Sequence, residues 1–208
     1  MSDRQCVALE REPQSIQTKN PMDLDWIGRA VVSPSTIIHT RVIQSWRDAI
    51  SVIPPPGQQS VCVVKGHLSA WEWVPVLLHA GVCDRLILTT YNLAVPVAQA
   101  LQGLVSLGRI LLADVIVSEA MHRLSSGPET LQVLMDTTRI FPGRVRVMTT
   151  DIHAKLICMA MESGDAYVIE GSGNMARNTH IELYSLHNDP ARLQFHSNWT
   201  GALLHELS

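Results

Sequence analysis

Apolar and polar positions change rhythm twice along these 208 residues. Between 40 and 53, Val42, Ile43, Trp46, Ala49, Ile50 and Ile53 recur at helical spacing, with Arg41, Gln44, Arg47 and Asp48 for the other face. That spacing predicts a helix, ended by Pro54, Pro55, Pro56 and Gly57. From 61 onward, short fully apolar runs alternate with amphipathic ones. Strands are expected at 61–64, 84–91, 109–117 and 144–149. Helices are expected at about 69–80, 95–107 and 129–140, the first two closed by Gly81 and Gly108 and the third followed by Pro142 and Gly143. Strands that are apolar on both sides belong in a sheet covered on both faces.

After residue 150 the rhythm changes again. Three strands are predicted at 153–161, 166–171 and about 180–186, with no room for helices between them. The residues Glu162-Ser163-Gly164-Asp165 suit a hairpin turn between the first two. Asp189 can cap, and Pro190 can start, a last helix running to about Leu207, with Leu193, His196, Leu203, Leu204 and Leu207 on its inner side. The fold class that follows is α/β: a mixed, largely parallel sheet flanked by helices on both faces.

Composition narrows the class without changing it. A chain 46% hydrophobic and 17% charged is a folded globular protein, long enough for one sizeable core. Net charge is −3, so any nucleic-acid partner would have to be met by a local basic patch. Cys6, Cys62, Cys83 and Cys158 form no C-x-x-C pair and read as reduced thiols. Residues 1–22 are polar and read as a flexible arm, and 23–35 as a short strand or loop. The domain proper is expected over 23–208, with 23–56 an extension and 57–207 the core. No run reaches membrane-spanning length, and the polar start lacks an apolar leader. The expectation is a cytoplasmic protein without a membrane association.

The chemistry-bearing residues gather between 151 and 184. In an extended segment His153 and Lys155 share one face. Val168, Glu170 and Ser172 would share a face of the following strand, and Asn174 follows in the turn Gly171-Ser172-Gly173-Asn174. An imidazole, an ammonium, a hydroxyl and an amide brought together suit a phosphodiester. Neutral imidazole attacks phosphorus, Lys155 and Asn174 hold the non-bridging oxygens, and Ser172 bonds the phosphate or the imidazole. With no clustered carboxylates or His/Cys ligands, neither a metal nor any other cofactor is called for.

His153-x-Lys155 followed by Gly171-Ser172-x-Asn174 and an acidic residue, Glu182, resembles the signature of the phospholipase D superfamily. That resemblance extends over about 57–207 and is nearest to compact single-motif members, many of them nucleases. It implies a phospholipase D-like fold, a covalent phosphohistidine on His153, and a site that needs two H-x-K motifs. One chain supplies one motif, so a homodimer is implied, with nucleic acid as substrate. Glu182 would orient His153 through its second ring nitrogen. The signature aspartate position is Ala160, with Asp165 a replacement offered by a lengthened hairpin. A catalytically inactive module binding nucleic acid or protein, and a small-molecule or lipid phosphodiesterase, are the competing readings.

Further residues are candidates for the substrate cleft. His67, Tyr91 and Asn92 follow strands, where α/β sites gather. Arg177 follows the Gly-Ser-x-Asn turn, and Arg139, Arg144 and Arg146 could track a phosphate backbone. Glu170 could pair with Lys155 or face solvent. Trp71 and Trp73 read as core or interface packing, not as a base-stacking platform.

Overall fold

A computed structural model describes residues 36–43, 50, 52–65, 69–176 and 180–205, with 36–43 and Lys65 defined by their backbone alone. The arm expected at 1–22, the segment 23–35, His67 and Arg177 lie outside the described residues.

Eight strands form one sheet: β1 (Thr36–Ile43), β2 (Gln58–Lys65), β3 (Cys83–Thr90), β4 (Ile110–Ser118), β5 (Val145–Thr150), β6 (Leu156–Met161), β7 (Ala166–Gly171) and β8 (Ile181–Asn188). Their order is β1-β2-β8-β7-β6-β3-β4-β5. β1–β2, β3–β4 and β4–β5 are parallel, and β2–β8, β8–β7, β7–β6 and β6–β3 are antiparallel. The sheet is therefore mixed rather than largely parallel. Strands linked without a crossover helix must run antiparallel, and β6, β7 and β8 are inserted as a block into the middle of the sheet.

The helix expected over 40–53 is corrected at its start, because 36–43 is strand, while 44–49 and 51 lie outside the described residues. Its sequence, TIIHTRVI, is dominated by β-branched residues, which lose side-chain freedom in a helix and pack well on a pleated surface. Between Ala70 and Ala80 the expected helix is broken into a 3₁₀ turn, a short α1 (Trp73–Leu77) and a second 3₁₀ turn. Pro75 has no N–H to give to the Trp71 carbonyl, so a continuous α-helix cannot start there. The remaining helices, α2 (Val95–Ser106), α3 (Gly127–Ile140) and α4 (Pro190–His205), fall where the pattern placed them. Asp189 caps α4 as expected, its Oδ1 accepting from the N–H groups of Ala191 and Arg192.

Helices cover both faces. Trp71, Trp73, Leu77, Leu101 and Leu134 join Leu86, Leu88, Ile169 and Tyr184 in the main core. On the other face, Leu193, Trp199 and Leu203 of α4 pack on Ile87, Cys158, Val168, Ile116 and Met148. Cys62, Cys83 and Cys158 are buried and free. Burial pushes the first two thiols up to about 12 and the third still higher. Among the described residues no helix is long and apolar enough to cross a membrane.

One end of the sheet positions the candidate site. There β3 and β7 finish while β6 and β8 begin, as the pairs Thr89–Leu156, Leu156–Glu170 and Gly171–Tyr184 show.

Candidate active site

His153 and Lys155 lie just before β6, in an irregular segment rather than in the strand expected for them. The buried Thr89 at the end of β3 holds this segment, its hydroxyl donating to the Ala154 carbonyl at 3.1 Å. The Lys155 side chain folds back. Its Nζ donates to the His153 carbonyl at 2.9 Å and lies 3.0 Å from Nδ1 and 3.3 Å from Nε2 of the same residue. Partial burial lowers the Lys155 pKa, and the nearby Glu182 carboxylate works against that. The Tyr91 ring stands over His153 with centroids 5.1 Å apart.

The second half of the site is held by the next residue of β3. Thr90 is buried, and its hydroxyl donates to the Asn92 carbonyl at 2.9 Å and accepts from the Met175 N–H at 3.3 Å. The same oxygen lies 3.4 Å from Asn174 Oδ1. A hydroxyl has one proton, and the shorter contact with Asn92 takes it. Among the described residues the Asn174 Nδ2 hydrogens have no acceptor and are available to a bound oxygen. A bridge between Leu93 and Met175 and the bond from Ala94 N to the Met175 carbonyl complete the attachment.

Ser172 donates to the carboxylate of the buried Glu182 and accepts from the Leu183 N–H at 3.1 Å. Its proton is thus committed to Glu182, not to phosphate or imidazole. Glu182 meets Ser172 and acts on Lys155 by its charge.

Six residues need correction or relocation. Glu170 neither pairs with Lys155 nor simply faces solvent. It receives Arg192 Nη1 at 2.6 Å and His196 Nε2 at 2.8 Å from α4, with His187 Nε2 at 3.5 Å. Burial raises the Glu170 pKa, but the bonds from His187 and His196 and the Arg192 charge outweigh it and hold the carboxyl well below the ordinary range. Arg139 is paired with Asp136, Arg146 with Asp114, and Arg144 with the carbonyls of Leu111, Val105 and Ile110. These three serve internal contacts. Asn92 contributes its backbone carbonyl. Asp165 sits at the far end of the β6–β7 hairpin and accepts from Asn188 Nδ2 at 2.8 Å, so it braces the hairpin against β8. Gly164 allows the turn through its φ of 90°. Trp71 and Trp73 are core, as expected.

Sequence reasoning passed over Thr89 and Thr90. The available signal was two hydroxyls closing an otherwise apolar strand, since buried hydroxyls need partners. It also passed over Gly173, read only as the variable position of the turn. The arrangement that results is an imidazole, an ammonium and an amide at one sheet end, with His153 and Ser172 exposed to solvent.

No protein-family model matches the chain. No curated protein sequence matches it either. Similarity appears among solved structures. A polyphosphate kinase from Porphyromonas gingivalis superimposes with a TM-score of 0.50 at 14% identity, over 71% of this chain and 26% of that one. TrmBL2, an archaeal chromatin protein, gives 0.45 at 13% identity, over 69% and 52% of the two chains. A phosphatidylserine synthase from Haemophilus influenzae gives 0.45 at 18%, over 65% and 35%. The chain thus spans about a quarter of the length of the kinase it resembles. What this likeness shows is architecture: the chain has the phospholipase D-like α/β fold that its H-x-K and G-S-x-N residues implied.

Proposed function

We propose that this protein is a phosphodiesterase of the phospholipase D type, a metal-independent nuclease acting on DNA or RNA at a site shared by two copies of the chain. The supporting observation is that consecutive residues of one strand, Thr89 and Thr90, hold the two motif halves, 153–155 and 174–175, at one sheet end. Buried hydroxyls committed in this way fix relative positions, and positioning is a large part of what a phosphoryl-transfer site contributes.

In this reading His153 attacks phosphorus through its neutral nitrogen. A P–N bond forms as the P–O bond to the leaving group breaks. The protonated His153 of the second copy gives its proton to the departing oxygen. That imidazole, now neutral, takes a proton from water as the water oxygen attacks phosphorus. The P–N bond breaks, a phosphomonoester leaves and His153 is restored. Lys155 and the Asn174 amide hold the non-bridging oxygens as charge grows. The shared site is supported by the exposure of His153 and of two large apolar side chains of neighbouring β8, Ile181 at 67% and Leu183 at 54%.

The test is hydrolysis of an aryl phosphodiester and of plasmid DNA with a chelator present. Activity lost in His153→Ala and in Lys155→Ala, with melting unchanged, supports the enzyme. A wild-type protein inert on both substrates that still shifts DNA in a gel overturns it in favour of a binding module, the reading that Ala160 in the signature aspartate position favours. A fully active monomer by sedimentation overturns the shared site.

A further inference from the structure

A second concentration of charge lies at the other end of the sheet. Arg85 and Thr90 are separated by five residues of β3, about 16 Å at the usual rise of a strand. Around Arg85 a cavity of about 390 Å³ is lined by Leu112, Asp114, Arg144, Arg146 and His205, the last described residue of α4. Arg85, Asp114 and Arg146 come from the adjacent strands β3, β4 and β5.

Asp114 is buried and both its oxygens are used. Oδ2 accepts from Arg85 Nε at 3.0 Å and Nη2 at 2.6 Å, and Oδ1 accepts from Arg146 Nε at 2.6 Å. One carboxylate thus fixes two guanidinium planes. Arg144 is fixed differently. Its Nε and Nη2 reach three backbone carbonyls at 3.0 to 3.1 Å, and its guanidinium lies 5.6 Å from the Phe141 ring centre. Carbonyls satisfy its donors without neutralising its charge. Among the described residues, three guanidiniums therefore face one carboxylate in a chain whose net charge is −3. Among the described residues Arg85 Nη1 and both Nη groups of Arg146 meet no acceptor. Donors held in place by their other bonds lose little freedom when an anion arrives, and a planar fork matches phosphoryl oxygens.

We propose that the cavity between Arg85, Arg144 and Arg146 is a binding site for a small phosphorylated molecule, held by its terminal phosphoryl dianion. A dianion balances the excess of charge, and its several oxygens match the unused Nη groups of Arg85 and Arg146. The volume is that of a small-ligand pocket. The site is independent of the chemistry proposed for His153.

The experiment is calorimetric titration of the full chain with inorganic pyrophosphate at fixed ionic strength. The His153→Ala/Lys155→Ala protein, which lacks the phosphate-holding groups of the other sheet end, is expected to keep one pyrophosphate site per chain. Arg146→Gln is expected to weaken binding about ten-fold. Because that change also leaves Asp114 with one partner fewer, Leu112→Glu provides a second variant. Leu112 is 45% exposed, so a carboxylate there should abolish binding with no change in melting. The proposal is overturned if wild type does not bind, if binding follows His153 and Lys155 instead of Arg146, or if Leu112→Glu binds normally. Displacement of pyrophosphate by an oligonucleotide lacking a terminal phosphate, as effectively as by a nucleoside monophosphate, would also overturn it.

Discussion

A β-carbon added at Gly173 would lie 1.9 Å from the Tyr184 hydroxyl oxygen, and one added at Gly171 would lie 2.3 Å from Tyr184 Cδ1. The two glycines of the G-S-x-N turn are thus the roof of a slot that the fully buried Tyr184 ring fills. Trp73 meets the same ring edge-on at 6.3 Å. Among the described residues the buried Tyr184 hydroxyl has no hydrogen-bond partner, and burial raises its pKa. Gly173→Ala should therefore destabilise the protein by about 1–3 kcal/mol, the usual cost of overpacking. Tyr184→Phe removes only an unsatisfied hydroxyl and should be neutral or stabilising. The two changes should also couple: adding Tyr184→Phe should recover part of the Gly173→Ala loss, because the closest atom is gone. A double-mutant cycle by chemical denaturation measures this, and strict additivity would rule out the slot.

Thr90→Val keeps the shape of a buried side chain and deletes the oxygen to which Asn92 and Met175, the neighbour of Asn174, are tied. The Met175 N–H loses its acceptor, at a cost of about 1–3 kcal/mol. Phosphodiesterase turnover should fall further than stability does, because the Asn174 amide loses its register with His153. Thr89→Val should act on the other half of the site by releasing the Ala154 carbonyl. Turnover and melting measured together decide it. Both variants turning over like wild type would show that the two hydroxyls do not position the motif.

The strands from 58 onward were legible because buried strands write themselves as apolar runs bounded by glycine and proline. The order of those strands was not. Nothing local in β6, β7 or β8 says that the block enters the sheet between β2 and β3, since pairing partners are set by packing across the whole sheet. His153, Lys155 and Asn174 were legible as residue types at a spacing. The partners of Glu170 were not. Counting along β7 places it on the face of Val168, but its partners Arg192 and His196 belong to α4, more than twenty residues further along. For the same reason Arg146 read as a free cation until β4 set Asp114 beside it.

Glu170 makes stability depend on acid. Its folded pKa is depressed, so its contribution is fully present above the unfolded carboxylate value of about 4.3 and is lost as pH falls from there toward the folded value. The groups around it are Arg192, His187, His196 and the Cys158 thiol. Wild-type stability should therefore fall on acidification below about pH 4.3, and Glu170→Gln should flatten that slope while lowering stability at neutral pH. Urea midpoints between acid and neutral pH are the measurement. Parallel curves for the two proteins would mean that Glu170 titrates normally.

Lys155 and Glu182 lie on opposite halves of the motif, and the carboxylate keeps the ammonium charged against partial burial. Gln in place of Glu182 can still accept from Ser172 through its amide oxygen, so the turn need not change shape while the charge is lost. The Lys155 pKa should then drop further, and more of the side chain should be neutral amine at a given pH. Only the neutral amine is nucleophilic. Acylation of Lys155 near pH 9, about a unit below the ordinary lysine value, should therefore be faster in Glu182→Gln than in wild type. Lys19 and Lys65 complete the lysines of this chain and serve as internal references. Peptide mass spectrometry after a timed pulse of reagent gives all three rates in one sample. A Lys155 rate that does not change relative to the other two would mean that the carboxylate and the ammonium are not electrostatically coupled, and would separate the two halves of the site that Thr89 and Thr90 otherwise hold together.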